Sequence, residues 1–241
     1  MRKIALLSLF VMLFAFVPTF LNAQCPVQAG YTCSFYAGDL DLNDPNQNGL
    51  ANENDAIVGG SPYGAAVYQN FVWNNLDGLT ITGLATNNLS GLDPKTAYWE
   101  IRSGVSEGNG GTLIASGSGY TSNQPTGRSD FGFNEYTNYV SVNLLLSSGT
   151  YWMAVVPQDP NNGNRSFNSG TDGLNAMGTQ ISGEQYFNSA FFGANFTNAN
   201  NEGFGFNTFS DAVYVPEPSS LILLGLGLVA AAGMARRRLS R

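Results

Sequence analysis

Short apolar runs recur through the middle of the chain, cut by Gly, Asn, Ser and Pro, and no stretch keeps helical spacing over three turns. In LTITGLA, Leu79 and Ile81 point one way, and Thr80 and Thr82 the other. AYWEIRS sets Trp99 and Ile101 inward against Glu100 and Arg102 outward, and YVSVNLLL puts Val140, Val142, Leu144 and Leu146 on one face. TYWMAVV, from Thr150 to Val156, is apolar on both faces and reads as a central strand. AVYQNFVW, TLIAS, EQYFNSAFF and DAVYV are further strands, while Gly104–Gly111 and Asp159–Gly163 read as surface loops. Period-two alternation with turn residues between the runs predicts antiparallel sheet with one face buried. Many such strands without helical crossovers predict an all-β fold, an antiparallel β-sandwich of jelly-roll-like form.

The two ends have a different pattern. Residues 1–23 place Arg2 and Lys3 before an apolar run from Ile4 to Val17, and Leu21-Asn22-Ala23 offers a small residue at a cut site. That is the layout of a secretory signal peptide. At the other end Pro216, Glu217 and Pro218 precede an uncharged segment, about 219–235, followed by Arg236, Arg237, Arg238 and Arg241. As a helix it spans roughly 25 Å, slightly less than the roughly 30 Å hydrocarbon core. The prolines separate it from the preceding strand, and the arginines hold its end in the cytoplasm. The expected order is therefore signal peptide 1–23, an Asn/Asp-rich lead-in 24–55, sandwich 56–215 and tail 216–241, with the arginine-rich end at 236–241.

The tail resembles the PEP-CTERM sorting signal of Gram-negative bacteria, through Pro-Glu-Pro, apolar span and terminal Arg cluster in that order. The resemblance implies that an exosortase, a membrane-embedded transpeptidase-like enzyme, recognises Pro216, Glu217 and Pro218 and removes the tail. It implies transient residence in the inner membrane through the C-terminal helix, then the periplasm, cell surface or extracellular matrix. It also implies a link to exopolysaccharide or biofilm. The body resembles a jelly-roll-like domain of surface-sorted bacterial proteins through NGLANENDA, YQNFVWNNLDGLTITGL, YWEIRSG, GGTLIASGSG and LLSSGTYWMAV. That second resemblance supplies no catalytic residues.

Charge and composition narrow the chemistry. Net charge is −7, and between Gln24 and Val215 the basic residues are Lys95, Arg102, Arg128 and Arg165 against sixteen acids. Such a body repels phosphate backbones, so no nucleic-acid partner is expected. There is no histidine, which removes histidine-based triads and general bases. Cys25 and Cys33, close together in an exported chain, read as one disulfide contributing roughly 2–3 kcal/mol. Their spacing is longer than metal-binding pairs use.

Asp44, Asn46 and Asn48 fall at alternate positions before Gly49, with the Leu50 carbonyl and Asp55 completing a calcium-loop template. The same residues also read as a turn entering the first strand, with Asp39 and Asp41 nearby. Calcium is thus the one cofactor considered. Glu100 with Glu107, or Glu135 with Glu184, are the carboxylate pairs a glycoside hydrolase could use, but Glu100 reads better as an exposed partner of Arg102, and no enzymatic activity is expected. Trp99 and Trp152 read as core, and Trp73, beside Asn74 and Asn75, as the tryptophan placed for ligand contact. The expected role is structural or adhesive, with carbohydrate binding as the alternative and polysaccharide hydrolysis behind it.

Overall fold

In a computed structural model, the residues described are 25–26, 28–43, 49–54, 61–75, 78–91, 93–159, 165–200 and 208–217. The expected signal peptide and the apolar tail segment lie outside them. Twelve antiparallel strands form the described body: β1 (Tyr31–Tyr36), β2 (Gly49–Ala51), β3 (Ala66–Trp73), β4 (Thr80–Ser90), β5 (Thr96–Ser103), β6 (Thr112–Asp130), β7 (Phe133–Leu145), β8 (Gly149–Gln158), β9 (Ser166–Ser169), β10 (Tyr186–Ser189), β11 (Ala194–Asn198) and β12 (Asp211–Pro216).

The strands run in the order β1-β12-β4-β7-β6-β5-β8-β3-β10-β11, with β9 paired to β4 and β2 to β9. The long β6 changes partner midway: Thr112–Tyr120 pairs with β5, and Thr121 onward pairs with β7. It thereby passes from one layer of the sandwich to the other. Between the layers lies the main core, with Ile81 and Leu84 of β4, Val140 of β7 and Val213 of β12 facing Phe71 of β3, Ile101 of β5 and Met153 of β8. Burying such side chains stabilises by roughly 1.5–3 kcal/mol each.

As its two-sided apolar pattern predicts, β8 lies between β5 and β3. Its odd residues Met153 and Val155 fill the main core. Its even residues Trp152, Ala154 and Val156 enter a second cluster with Tyr186 and Phe196, which curl over the outer face from β10 and β11. Leu79, expected to share the inward face of Ile81, precedes β4 and is 43% exposed. EQYFNSAFF forms strand only over Tyr186–Ser189, and Phe191 and Phe192 protrude from the following turn.

One row of the interior is polar. Asp211 of β12 lies opposite Thr86 of β4, Thr86 opposite Asn138 of β7, and Asn138 opposite Asn123 of β6. Beside it Asn168 donates to both Asp211 oxygens at 3.1 and 3.3 Å, and Asn52 bridges the layers by donating to Asn88 Oδ1 and to the Val155 carbonyl. Burial raises the Asp211 carboxyl from 3.8 to about 7, against the opposing hydrogen bonds from Thr86 and Asn168. Below pH 4 this carboxyl is neutral in folded and unfolded chains alike. Between pH 4 and about 7 only the unfolded chain ionises, so its contribution to stability is lost as pH rises through that window. Asp211→Asn therefore matches the parent near pH 4 and becomes the more stable chain by pH 8, by up to about 4 kcal/mol. Urea melts of both chains at several pH values measure that widening gap.

Candidate functional site

The C-terminal strand carries the first feature. β12 is flanked on both sides, by β1 and by β4, and Val215 remains 7% exposed in the main core. Pro216 still faces Tyr31 across the ladder, but proline has no N–H to extend it. The Glu217 amide makes one more bond, to the Gly30 carbonyl at 3.4 Å. Pro216 and Glu217 are exposed. Pro218, Arg236, Arg237 and Arg238 lie outside the described residues. The Pro-Glu-Pro therefore leaves the sheet directly, with no linker between the last buried residue and the motif.

Cys25 and Cys33 are joined by a disulfide. Cys33 lies opposite Tyr214 of β12, and both cysteines pack with Tyr36, Tyr139, Ala212 and Tyr214 on the outer face of the β1-β12-β4-β7 layer. Gly83 makes room there, since a Cβ at that position would come within 2.3 Å of the Tyr139 ring. The bridge thus binds Cys25 to β1, the neighbour of the strand that bears the motif. Within the 24–55 segment, β1 and β2 are strands of the sandwich itself.

On the same outer face lies a cavity of about 280 Å³, lined by Cys25, Pro26, Asp39, Gln124, Pro125, Thr126, Arg128 and Thr137. Arg128 bridges two carboxylates, Asp39 at 2.7 Å and Glu135 at 2.5 Å. Thr126 donates to Glu135 Oε2 at 2.6 Å, while Glu135 Oε1 is buried without a partner. Tyr36 donates to Asp39 at 2.6 Å, and Asn175 donates to its other oxygen at 2.7 Å. Burial, then the bond to Asp39, pushes the Tyr36 hydroxyl far up. This side of the body offers fixed donors and acceptors around one guanidinium. The pattern of apolar alternation gave no sign of it, because its residues come from the polar stretch Gln124–Thr137 and from Asp39.

The remaining sequence candidates are dispersed. Asp44, Asn46, Asn48 and Asp55 fall outside the described residues, and Leu50 is a buried residue of β2 opposite Asn168. Asp39 is committed to Arg128. Among the described residues no three acidic or cysteine side chains group to hold a metal. Trp73 is 6% exposed with its ring in the main core, so it offers no face to a ligand.

Glu100, expected at the surface, is 3% exposed. It accepts from Tyr68 at 2.9 Å, Tyr98 at 2.8 Å and Arg102 at 2.5 Å. The outward face of β5 is itself covered by β10–β11, which reverses the expected exposure. Burial and the Glu100 bond push the Tyr98 hydroxyl up to about 12. Glu107 instead accepts from the Asn198 amide at 2.6 Å. Glu135 and Glu184 belong to opposite outer faces, since the Glu184 carbonyl accepts from Trp152 in the second cluster. Glu100, Glu107 and Glu135 are thus each held by groups of the body itself.

Comparison with known proteins decides the reading of the tail. Residues 215–238 match the family model described as the PEP-CTERM protein-sorting motif. The chain carries a PEP-CTERM sorting motif. It begins at Val215, inside β12, and implies export, a membrane-anchored sorting signal and processing by an exosortase. No curated protein matches the chain. Among solved structures, the cysteine protease and lectin-like domains of Cwp84, a surface layer associated protein of Clostridium difficile, show 17% identity and a TM-score of 0.37. That overlap covers 64% of this chain and 32% of the other, and it carries no inference here.

The buried Glu100–Arg102 pair and the exposed Lys95–Asp93 pair should behave differently. Arg102→Ala leaves a buried carboxylate unpaired and lowers stability by roughly 3–5 kcal/mol, whereas Lys95→Ala stays within about 0.5 kcal/mol. Chemical denaturation of the two variants checks the contrast.

Proposed function

We propose that this is a non-catalytic protein of the cell surface or extracellular matrix, with a structural or adhesive role linked to exopolysaccharide or biofilm. The observation that carries this reading is the sorting motif attached, without a linker, to the last strand of a β-sandwich. The body, among the described residues, gives way to the tail at the end of β12. Its acidic surface keeps it off anionic lipid once the tail is gone. Glu100 and Glu135 are each held by an arginine, a role in which they brace the fold. Replacing Pro216, Glu217 and Pro218 together by alanine should leave the tail attached and hold the protein in the inner-membrane fraction, while the parent chain reaches the surface or matrix. Fractionation of the native host measures this, and equal distribution of the two chains would refute it.

A second reading, a carbohydrate-binding module, is favoured by the cavity around Arg128. Its guanidinium lies beside the exposed Gln124 amide, Thr126 and the Asp39 carboxylate, a mixture of donors and acceptors of the kind that sugar hydroxyls need. Titration with the host's exopolysaccharide separates the two readings. Saturable binding that falls at least tenfold in Gln124→Ala, an exposed residue of the lining, supports the module, and no binding by the parent chain leaves the structural role. Calcium is kept in the same titration as a variable, since the Asp44–Asp55 loop is the one place where it is proposed.

A further inference from the structure

The junction between body and tail has a feature that the sorting motif alone does not imply. Residues on the body side of Pro-Glu-Pro are fixed in the sheet from two directions. Val213 and Tyr214 pair with Leu84 and Gly83 of β4 on one side, and with Phe35 and Cys33 of β1 on the other. β1 is an edge strand, the weaker of the two neighbours, because among the described residues its outer side is bridged only at Tyr36, to Met177.

Two additional attachments hold that edge. The Cys25–Cys33 bridge folds the lead-in back over β1. The Tyr214 hydroxyl then donates to the Pro26 carbonyl at 2.8 Å, so the lead-in is tied to β12 itself. Tyr214 is 1% exposed beneath this cover, stacked edge-on against Tyr139 at 5.4 Å between ring centres.

We infer that β1, the Cys25–Cys33 bridge and the Tyr214–Pro26 hydrogen bond form a clasp that positions the sorting motif, so that an enzyme acting on the oxidised protein can engage the chain only from Pro216 onward. A peptide bound in a processing cleft needs free backbone on at least one edge to pair with the enzyme. From Ala212 to Tyr214 both edges of β12 are occupied, and Val215 pairs with Thr32 of β1 and is buried in the main core. Pro216 and Glu217 are the first exposed residues after the buried run of β12, and among the described residues the Glu217–Gly30 bond is the last tie to the body. Tyr214, Pro26, Cys25 and Cys33 are positioning residues in this scheme: they touch no reacting group, and they set where the accessible chain begins. If the bridge is open, β1 keeps its bridge to Met177 at Tyr36 but loses its tie to the lead-in at Cys33, and the β1 side of Tyr214–Pro216 is released. Presentation of the motif is thus coupled to oxidation of a disulfide at the other end of the chain, so the motif is displayed with a defined boundary only on a body that has completed its oxidative folding.

This inference rests on the sorting reading, and the test is arranged so that the two can fail separately. Hydrogen–deuterium exchange by mass spectrometry is followed on the full unprocessed chain in detergent micelles, as oxidised protein, after thiol reduction and as the Cys25→Ser/Cys33→Ser variant. In the oxidised chain, peptides spanning Tyr31–Tyr36 and Asp211–Pro216 should be protected. Opening the bridge should speed exchange at least tenfold in both peptides and leave β5 and β8 unchanged. Tyr214→Phe, which keeps the bridge and loses the Pro26 bond, should move the same peptides in the same direction by less. Three results would overturn the clasp: unchanged exchange in β12, acceleration confined to β1, or loss of protection throughout the body. The last would make the bridge a general staple. A chain that is never shortened in its host fails the sorting reading without affecting this measurement.

Discussion

Everything in this molecule depends on the insertion of the C-terminal strand between two strands from the first part of the chain. β12 closes the ladder between β1 and β4, and its Val213 and Val215 complete the main core. A sheet closed by its last strand has high contact order, and its loop-closure cost is met only when the C-terminus is available. The sorting motif starts on that same strand. Folding of the body and display of the motif are therefore one structural event. In a chain whose tail sat on a long flexible linker, these would be separate.

The interior explains why that insertion has a defined register. A one-residue slip in a strand exchanges its two faces. For β12 such a slip would put Ala212 and Tyr214 between the layers and turn Asp211 out of reach of Asn168. The polar row is costly to bury, but its hydrogen bonds are available in only one alignment. The Glu100–Arg102 pair does the same on the far face, where Arg102 also stacks over Phe196 at 5.2 Å. Buried pairs of this kind specify an arrangement more than they stabilise it.

The strands that alternate cleanly were legible from sequence, and the reason is burial on one or two faces. AVYQNFVW and TYWMAVV became β3 and β8, the second buried on both faces as its pattern predicted, and DAVYV became β12. The stretch from Gly117 to Asn138 was not legible as strand. It forms half of β6 and the start of β7, but its residues are largely polar and half-exposed, with Phe131 and Gly132 making the turn at positive φ. Backbone pairing and polar side-chain bonds organise it, and neither leaves an apolar period. Glu100 was misread for the complementary reason. Alternation tells which residues share a face, but it cannot tell that a second layer, here β10–β11, covers the face that reads as polar. The Arg128 cavity combines residues from Cys25 to Thr137, a separation that no local pattern reveals. The tail was the most legible part, since its recognition depends on order and composition rather than on packing.

The central claim is that the body ends at β12 and that the chain is processed immediately beyond it. Intact-mass spectrometry of the protein recovered from the surface or matrix of its own host tests this most directly. The account predicts one oxidised species that retains Pro216 and has lost the apolar segment and the arginine cluster. A matrix species whose mass still includes residues 219–241, or one truncated within β12, would contradict it.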